Sequence, residues 1–239
     1  MQVSQYKRTQ FTHLVVTGFL LGMLGPVCPA SAEVKRYQLE RSTYDVYTPS
    51  AYSAAKEWPV VFAFHWSTGR STSMMSLWKE AAERHGFLLV APNSRHRMRW
   101  SRKDATAVQG MLGAVLGHYS VDLGRVYATG FSSGANFTYR MLLENPGVFR
   151  AIGPFGGRLL SRSGEYEAFD QTSNTRVCVF HGTRDKTIPH KHARRARMRL
   201  RAQGFEVIER DYRQGHWLRR GYAEEMWQCL NGRPVDGES

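Results

Sequence analysis

The strongest constraint in this sequence is a series of short, unbroken apolar runs separated by segments of helical length. Val60-Val61-Phe62-Ala63-Phe64 is apolar without alternation, as a strand covered on both faces must be. Phe87-Leu88-Leu89-Val90, stopped by Ala91-Pro92, repeats the pattern. Arg125-Val126-Tyr127-Ala128-Thr129, Ala151-Ile152-Gly153-Pro154-Phe155 and Arg176-Val177-Cys178-Val179-Phe180 continue it, and residues 205–212 form a last strand. Between them the apolar spacing becomes helical. Residues 74–85 form one helix, ended by Gly86. Residues 105–118 form another, with Val108, Met111, Leu112, Val115 and Leu116 on one stripe. Residues 134–144, closed by Asn145-Pro146, residues 190–203, capped by Gly204, and residues 224–230 complete the helices. Tyr44-Asp45-Val46-Tyr47 alternates and stops at Thr48-Pro49, which predicts an edge strand. Strands joined by helix-length crossovers require a mostly parallel sheet with helices on both faces.

The first residues have a different pattern. Lys7 and Arg8 precede an apolar stretch over residues 11–27, and Ala30-Ser31-Ala32 places small side chains at both positions of a cleavage site. That order predicts a secretory signal peptide, residues 1–32, and a single catalytic-size domain, residues 33–239. A permanent anchor needs about 20 apolar residues, and this stretch is interrupted by Gly22, Gly25 and Pro26. The expected location is extracellular or periplasmic, with no stable membrane insertion after cleavage. Cys178 and Cys229 then remain. In an oxidising compartment they can form one disulfide, or stay as two buried thiols.

Active sites of open parallel sheets lie beyond the carboxyl ends of the strands. The loops after Phe64, Thr129, Phe180 and Tyr212 therefore hold the candidate chemistry. Gly130-Phe131-Ser132-Ser133-Gly134 is a G-x-S-x-G between a strand and a helix, the context in which that motif makes a sharp turn exposing its serine. Ser132 is the candidate nucleophile, at a helix N-terminus whose N–H groups favour a developing anion. A serine needs a base, and the base an orienting acid. Asp185, in the loop after Phe180, is the candidate acid. Its bland alternatives are a cap or an ion pair with Arg184. His216, after Gln214-Gly215, is the only histidine beyond the last strand and the candidate general base. His190 and His192 read as solvated side chains on a basic helix. An oxyanion hole would use the backbone N–H of Ser133 and one from the loop His65-Trp66-Ser67-Thr68-Gly69, from Ser67 or, less favourably, Trp66. The side chain of His65 reads as a brace for that loop.

The run Tyr119-Ser120-Val121-Asp122-Leu123-Gly124-Arg125-Val126-Tyr127-Ala128-Thr129-Gly130-Phe131-Ser132-Ser133-Gly134-Ala135-Asn136 resembles the nucleophile region of the secreted polyhydroxybutyrate depolymerase/feruloyl esterase group of α/β-hydrolases. The Asp-x-x-Arg-Val-Tyr approach is the distinctive part, and the resemblance runs from about residue 44 to 217. It implies an α/β-hydrolase fold, a Ser-Asp-His triad and hydrolysis of esters outside the cell. Two departures stand out. Trp66 occupies the position after His65 where the family has Gly, so a bulky side chain would narrow the acyl pocket or displace the oxyanion loop. Trp217 follows His216 directly, whereas the family often has Trp two residues on.

The segment between Phe155 and Arg176 is too short for a lid domain, so an open site for a bulky or polymer-linked ester is expected. Trp66, Trp100 and Trp217 are candidate substrate walls, with core packing as the alternative. Feruloyl-type esters and polyhydroxyalkanoates both fit; a catalytically weak binding protein on the same scaffold is the reading of another class. No cofactor is implied, and no spaced ligand set for a metal. The chain holds 33 Lys and Arg against 20 Asp and Glu, a net charge of +13. Removing Lys7 and Arg8 from +13 leaves +11. Lys191, Arg194, Arg195, Arg197, Arg199 and Arg201 crowd one helix whose buried side would be Ala193, Ala196 and Leu200. The other charges there should face solvent, or an anionic polysaccharide or cell surface. Export argues against a nucleic-acid partner.

Overall fold

The computed structural model describes residues 31–159 and 174–233. The expected leader, up to residue 30, and most of the segment between Phe155 and Arg176 lie outside them. The described chain forms one eight-stranded sheet in the order β1-β2-β4-β3-β5-β6-β7-β8. The strands are β1 (Glu33–Leu39), β2 (Ser42–Thr48), β3 (Trp58–Phe64), β4 (Leu88–Pro92), β5 (Val121–Phe131), β6 (Ala151–Phe155), β7 (Arg176–Gly182) and β8 (Val207–Tyr212). The helices are α1 (Ser71–His85), α2 (Arg102–His118), α3 (Ser133–Glu144), α4 (Lys191–Ala202) and α5 (Tyr222–Leu230). All strand pairs from β4 to β8 are parallel; β1 and β2 add two antiparallel pairings at one side. With the strands wrapped by helices on both faces, this is the α/β-hydrolase fold.

The two faces follow from strand periodicity. Val60, Phe62 and Phe64 of β3 join one core cluster with α2, α3 and α4, while Val61 and Ala63 join a second with α1 and α5. β7 does the same: Val177 and Val179 go to the first cluster, Cys178 and Phe180 to the second. Cys178 therefore points toward α5, where Cys229 bonds to it as a disulfide, with a Cα–Cα distance of 6.2 Å. Of the two readings open from sequence, the bonded one is the structure's.

One strand was not legible. Residues 42–48 do not form the sheet edge, because β1 pairs along their whole length. The strand β1 is polar and mostly exposed, so it carries no buried-strand signal. Its register is held by specific pairs instead. The Arg36 guanidinium grips Asp45 through two hydrogen bonds, at 2.7 and 3.0 Å, and Tyr37 stacks on Tyr44 at 5.3 Å. Such directly opposed partners are the stabilising unit of an antiparallel pair.

Candidate active site

Ser132 sits where β5 turns into α3, with φ 56° and ψ −116°. A non-glycine residue with positive φ costs on the order of 1–3 kcal/mol and persists only when its surroundings enforce it. Here they do. The Ser132 N–H donates to the Phe155 carbonyl at 3.0 Å, and the Ser132 carbonyl accepts from Asn136 N–H at 3.0 Å. The turn leaves no space for side chains: a Cβ at Gly134 would lie 2.1 Å from the Phe64 carbonyl oxygen, and one at Gly130 would lie 2.5 Å from Gly134 itself. The start of α3 thus rests directly on the end of β3, beside the loop 65–69.

His216 and Asp185 arrive from the loops after β8 and β7. The His216 ring lies with Nε2 2.8 Å from Ser132 Oγ and Nδ1 2.6 Å from Asp185 Oδ2. Asp185 accepts the backbone N–H groups of Thr187 and Ile188 at its other oxygen, at 2.9 and 2.8 Å. A buried carboxylate in that position is an acceptor, so Nδ1 carries the proton and Nε2 is left to accept from the Ser132 hydroxyl. The cap role considered for Asp185 and its contact with His216 use different oxygens of one carboxylate. The three residues singled out along the chain are thus brought into one hydrogen-bonded row at the carboxyl ends of the strands.

The row is braced by residues that sequence reasoning missed. Phe131 stacks on the His216 ring at 4.8 Å. Behind the ring is Gly156, at φ 61°, where a Cβ would sit 3.5 Å from the imidazole. The only sequence signal for it is the Gly156-Gly157 pair closing β6. Beneath Asp185 lies His181, whose Nε2–H donates to the Ile188 carbonyl at 2.8 Å, clamping the acid's loop. Burial holds the His181 pKa below the usual histidine value.

The loop 65–69 is anchored by the segment after β4, which lies outside the four loops singled out from the sequence. Thr68 N–H donates to the Arg97 carbonyl at 2.7 Å, and Ser67 Oγ to the Met98 carbonyl at 2.9 Å. Gly69 N–H closes a turn onto the Trp66 carbonyl at 2.9 Å. His65 is a brace, as expected from its place in the chain. Its Nδ1–H donates to the Trp66 carbonyl at 2.7 Å, and Nε2 accepts Ser94 N–H at 3.2 Å. Both nitrogens are satisfied by the neutral ring, and burial lowers its pKa accordingly.

The three tryptophans have separate fates. Trp100 is tied into the scaffold: its indole N–H donates to the His65 carbonyl at 2.9 Å, and its ring stacks on Phe137 at 4.5 Å. It is partly buried and packs against the core, the alternative reading for it. Trp66 packs edge-on against Phe131 at 6.1 Å, so Trp66, Phe131 and His216 form an aromatic row beside Ser132. Trp217 is 56% exposed and folds back over Gly215, where a Cβ would lie 2.2 Å from the indole.

Two expectations for the basic helix need correction. Arg197 does not face solvent: it is 3% exposed, pairs with Asp211 at 2.6 Å and Glu209 at 3.0 Å, and donates to the Val179 carbonyl. His190 is not a free surface histidine either, since its Nε2 meets Asp211 at 2.8 Å. Both follow from β8, whose alternate residues Glu209 and Asp211 face α4. Among the described residues no cluster of His, Cys, Asp and Glu could hold a metal ion, and no helix is long and apolar enough to cross a membrane.

The chain is similar to known esterases. It is 25% identical over 135 residues to a probable feruloyl esterase C of Aspergillus flavus, covering 52% of this chain and 50% of that one. It is 28% identical over 144 residues to a poly(3-hydroxyalkanoate) depolymerase C of Paucimonas lemoignei, covering 54% and 33%. The match thus spans half or less of these relatives' own length. Among solved structures, an acetyl xylan esterase from Aspergillus awamori superposes with a TM-score of 0.68 at 16% identity, covering 83% of this chain and 99% of that one, a shared fold. A family model for phospholipases and carboxylesterases matches residues 90–227, from β4 to α5, and with the fold and the Ser132 turn within that span, the chain belongs to the phospholipase/carboxylesterase family.

Proposed function

We propose that this protein is a serine carboxylic-ester hydrolase in which Ser132, His216 and Asp185 act as a catalytic triad, exported by the leader at its N-terminus. The observation that carries the reading is the row Ser132–His216–Asp185, with contacts of 2.8 and 2.6 Å. His216 Nε2 takes the hydroxyl proton as Ser132 Oγ attacks the ester carbonyl. The alcohol leaves with that proton, and water enters by the reverse path to release the acid. Asp185 holds the imidazole in the required tautomer and stabilises its cation. The N–H groups of Ser133 and Ser67, with Trp66 as the second choice for the latter, would receive the oxyanion. In support, the contact of Gly134 with Phe64 packs the start of α3 against the end of β3.

The aromatic row of Trp66 and Phe131 favours an acyl group with a flat or apolar face, and exposed Trp217 lies at the rim next to the base. Feruloyl-type or other bulky, polymer-linked esters fit these features; polyhydroxyalkanoates are the second reading, on the likeness to the depolymerase. Ser132→Ala should lower kcat on p-nitrophenyl acetate by at least ~10³-fold. Near-parental turnover by the folded variant would refute the assignment, as would failure of a fluorophosphonate probe to label Ser132. The same probe separates an esterase from a binding protein on this scaffold.

A further inference from the structure

Among the described residues, the loops at one end of the strands are balanced in charge and those at the other are strongly basic. At the amino ends, loops 49–57, 145–150 and 203–206 hold two cations, Lys56 and Arg150, and two acids, Glu57 and Glu206. At the carboxyl ends, loops 65–70, 93–101, 156–159, 183–190 and 213–221 hold ten Lys and Arg and one acid. That acid is Asp185, which is buried and bonded to His216. Two acids on neighbouring helices reach this end. Asp104 is buried and accepts from the backbone of Arg95 and Ser101, and Glu225 pairs with Arg219 at 3.2 Å. Among the described residues, none of the other nine rim cations makes an ion pair, and eight of the ten are exposed.

This charge surrounds the site. Arg158 follows Gly156, which lies against His216. Its backbone N–H donates to Asn136 Oδ1 on the first turn of α3 at 2.6 Å, and its Nε is buried without a partner. Arg184 and Lys186 flank Asp185, both exposed. The three-arginine loops after β4 and β8 stand on either side. From β4 to β8 there are five strand intervals, which at about 4.8 Å each span on the order of 24 Å. That is the reach of several monomers of a polymer, not of one small anion. Two of the four exposed large apolar side chains, Met98 and Trp217, lie on the same rim, adding flat apolar surface between the cations.

On the esterase reading above, we infer that the ester is carried by an anionic polysaccharide, a chain bearing uronate carboxylates, which the arginine rim holds across the Ser132 site. Rim cations act as carboxylate partners and raise the local concentration of the polymer. The anionic contact that the sequence placed on the basic helix belongs instead to the loops around the site.

The test compares O-acetylated polygalacturonate with O-acetylated glucomannan, a neutral polymer, and with p-nitrophenyl acetate, at matched ester concentration. At low salt kcat/KM on the polygalacturonate ester should exceed that on glucomannan by at least ~10-fold. The advantage should vanish between about 0.02 M and 0.5 M NaCl, where the screening length falls from about 20 Å to about 4 Å. A rim double variant, Arg97→Gln with Arg213→Gln, should lower the ratio of polygalacturonate to p-nitrophenyl acetate activity at least ~5-fold, while the charge-matched Arg194→Gln with Arg195→Gln on α4 changes it less than ~2-fold. Equal rates on the two polymers, equal losses in the two variants, or faster turnover of an acylated poly(glycerol phosphate) would each overturn the inference. Absence of turnover on every ester would overturn the esterase reading alone. In that case Ser132→Ala protein titrated with unacylated polygalacturonate and glucomannan reads the rim by itself. Salt-sensitive preference for polygalacturonate, lost in the rim variant, supports the inference, and no preference refutes it.

Discussion

Arginine crowds both α4 and the loops around the site, and the two regions use it differently. On α4, Arg197 turns inward to Asp211 and Glu209, and Arg201 reaches Glu209 at 3.1 Å. Around the site, in the loops after β4, β7 and β8, all the cations but Arg95 stand exposed, and among the described residues only Arg219 of them makes an ion pair. The difference lies in the neighbour and not in the stretch. The alternate residues of β8 present carboxylates to α4, whereas among the described residues Asp185, Asp104 and Glu225 beside the rim loops are already held by His216, by backbone N–H groups and by Arg219. An arginine beside a carboxylate becomes a structural clamp; one without becomes part of a field. The α4 region should therefore govern stability, and the loop region activity.

The largest effect expected from this contrast is on turnover. His216→Ala or Ser132→Ala should cost at least ~10³-fold in kcat, about 4 kcal/mol, while leaving the melting temperature within about 2 °C. A large stability loss on either substitution would break the comparison by making the site loops part of the frame.

Arg197→Ala should do the reverse. It takes one of two basic partners from each of Asp211 and Glu209, which keep His190 and Arg201, and removes the Arg197 donor from the Val179 carbonyl. A fully buried pair broken this way costs about 3–5 kcal/mol. Asp211 is about a third exposed, so about 2–3 kcal/mol is expected by urea unfolding. A cost below about 1 kcal/mol would place Arg197 with the surface charges after all.

Reduction of the Cys178–Cys229 bond, which closes a separation of 51 residues between β7 and α5, should cost about 2–4 kcal/mol. Urea curves with and without a reductant read this directly. Both cysteines lie away from the reacting atoms, so kcat at low temperature should change little.

The smallest effect is a pH dependence of stability. His65 and His181 are buried, and burial lowers the pKa of each below the ordinary histidine value. Over that interval the unfolded chain binds more protons than the folded one. The stability is therefore complete above about pH 6.5, the unfolded value, and is lost as pH falls toward the depressed folded values. Melting temperature should drop between about pH 7.5 and pH 5, and a His65→Gln variant should show a shallower drop. An identical slope in the variant would remove His65 from the account.

Much of the site was legible along the chain because its parts announce themselves locally. Gly130 and Gly134 bracket Ser132 where only glycine fits. Asp185 follows a buried strand, and His216 stands alone past the last one. Phe131 and Gly156 were not legible as partners of His216, because what puts them there is the juxtaposition of β5, β6 and the loop after β8. The segment after β4 was unread for the same reason: its bonds to the loop 65–69 are made by backbone carbonyls of Arg97 and Met98, and carbonyls carry no sequence signature.

The amino-acid sequence by itself determined the parallel layering, through unbroken apolar runs at crossover spacing, and singled out Ser132, Asp185 and His216 as candidates, through the turn and strand ends that carry them. Only the tertiary structure decided which arginines face an acid, which tryptophan meets solvent, that β1 covers β2, and that Cys178 meets Cys229. Each of those depends on which face of one element lies opposite which face of another. A period-two strand or a 3.6-residue helix specifies its own faces, but not the neighbour they will meet.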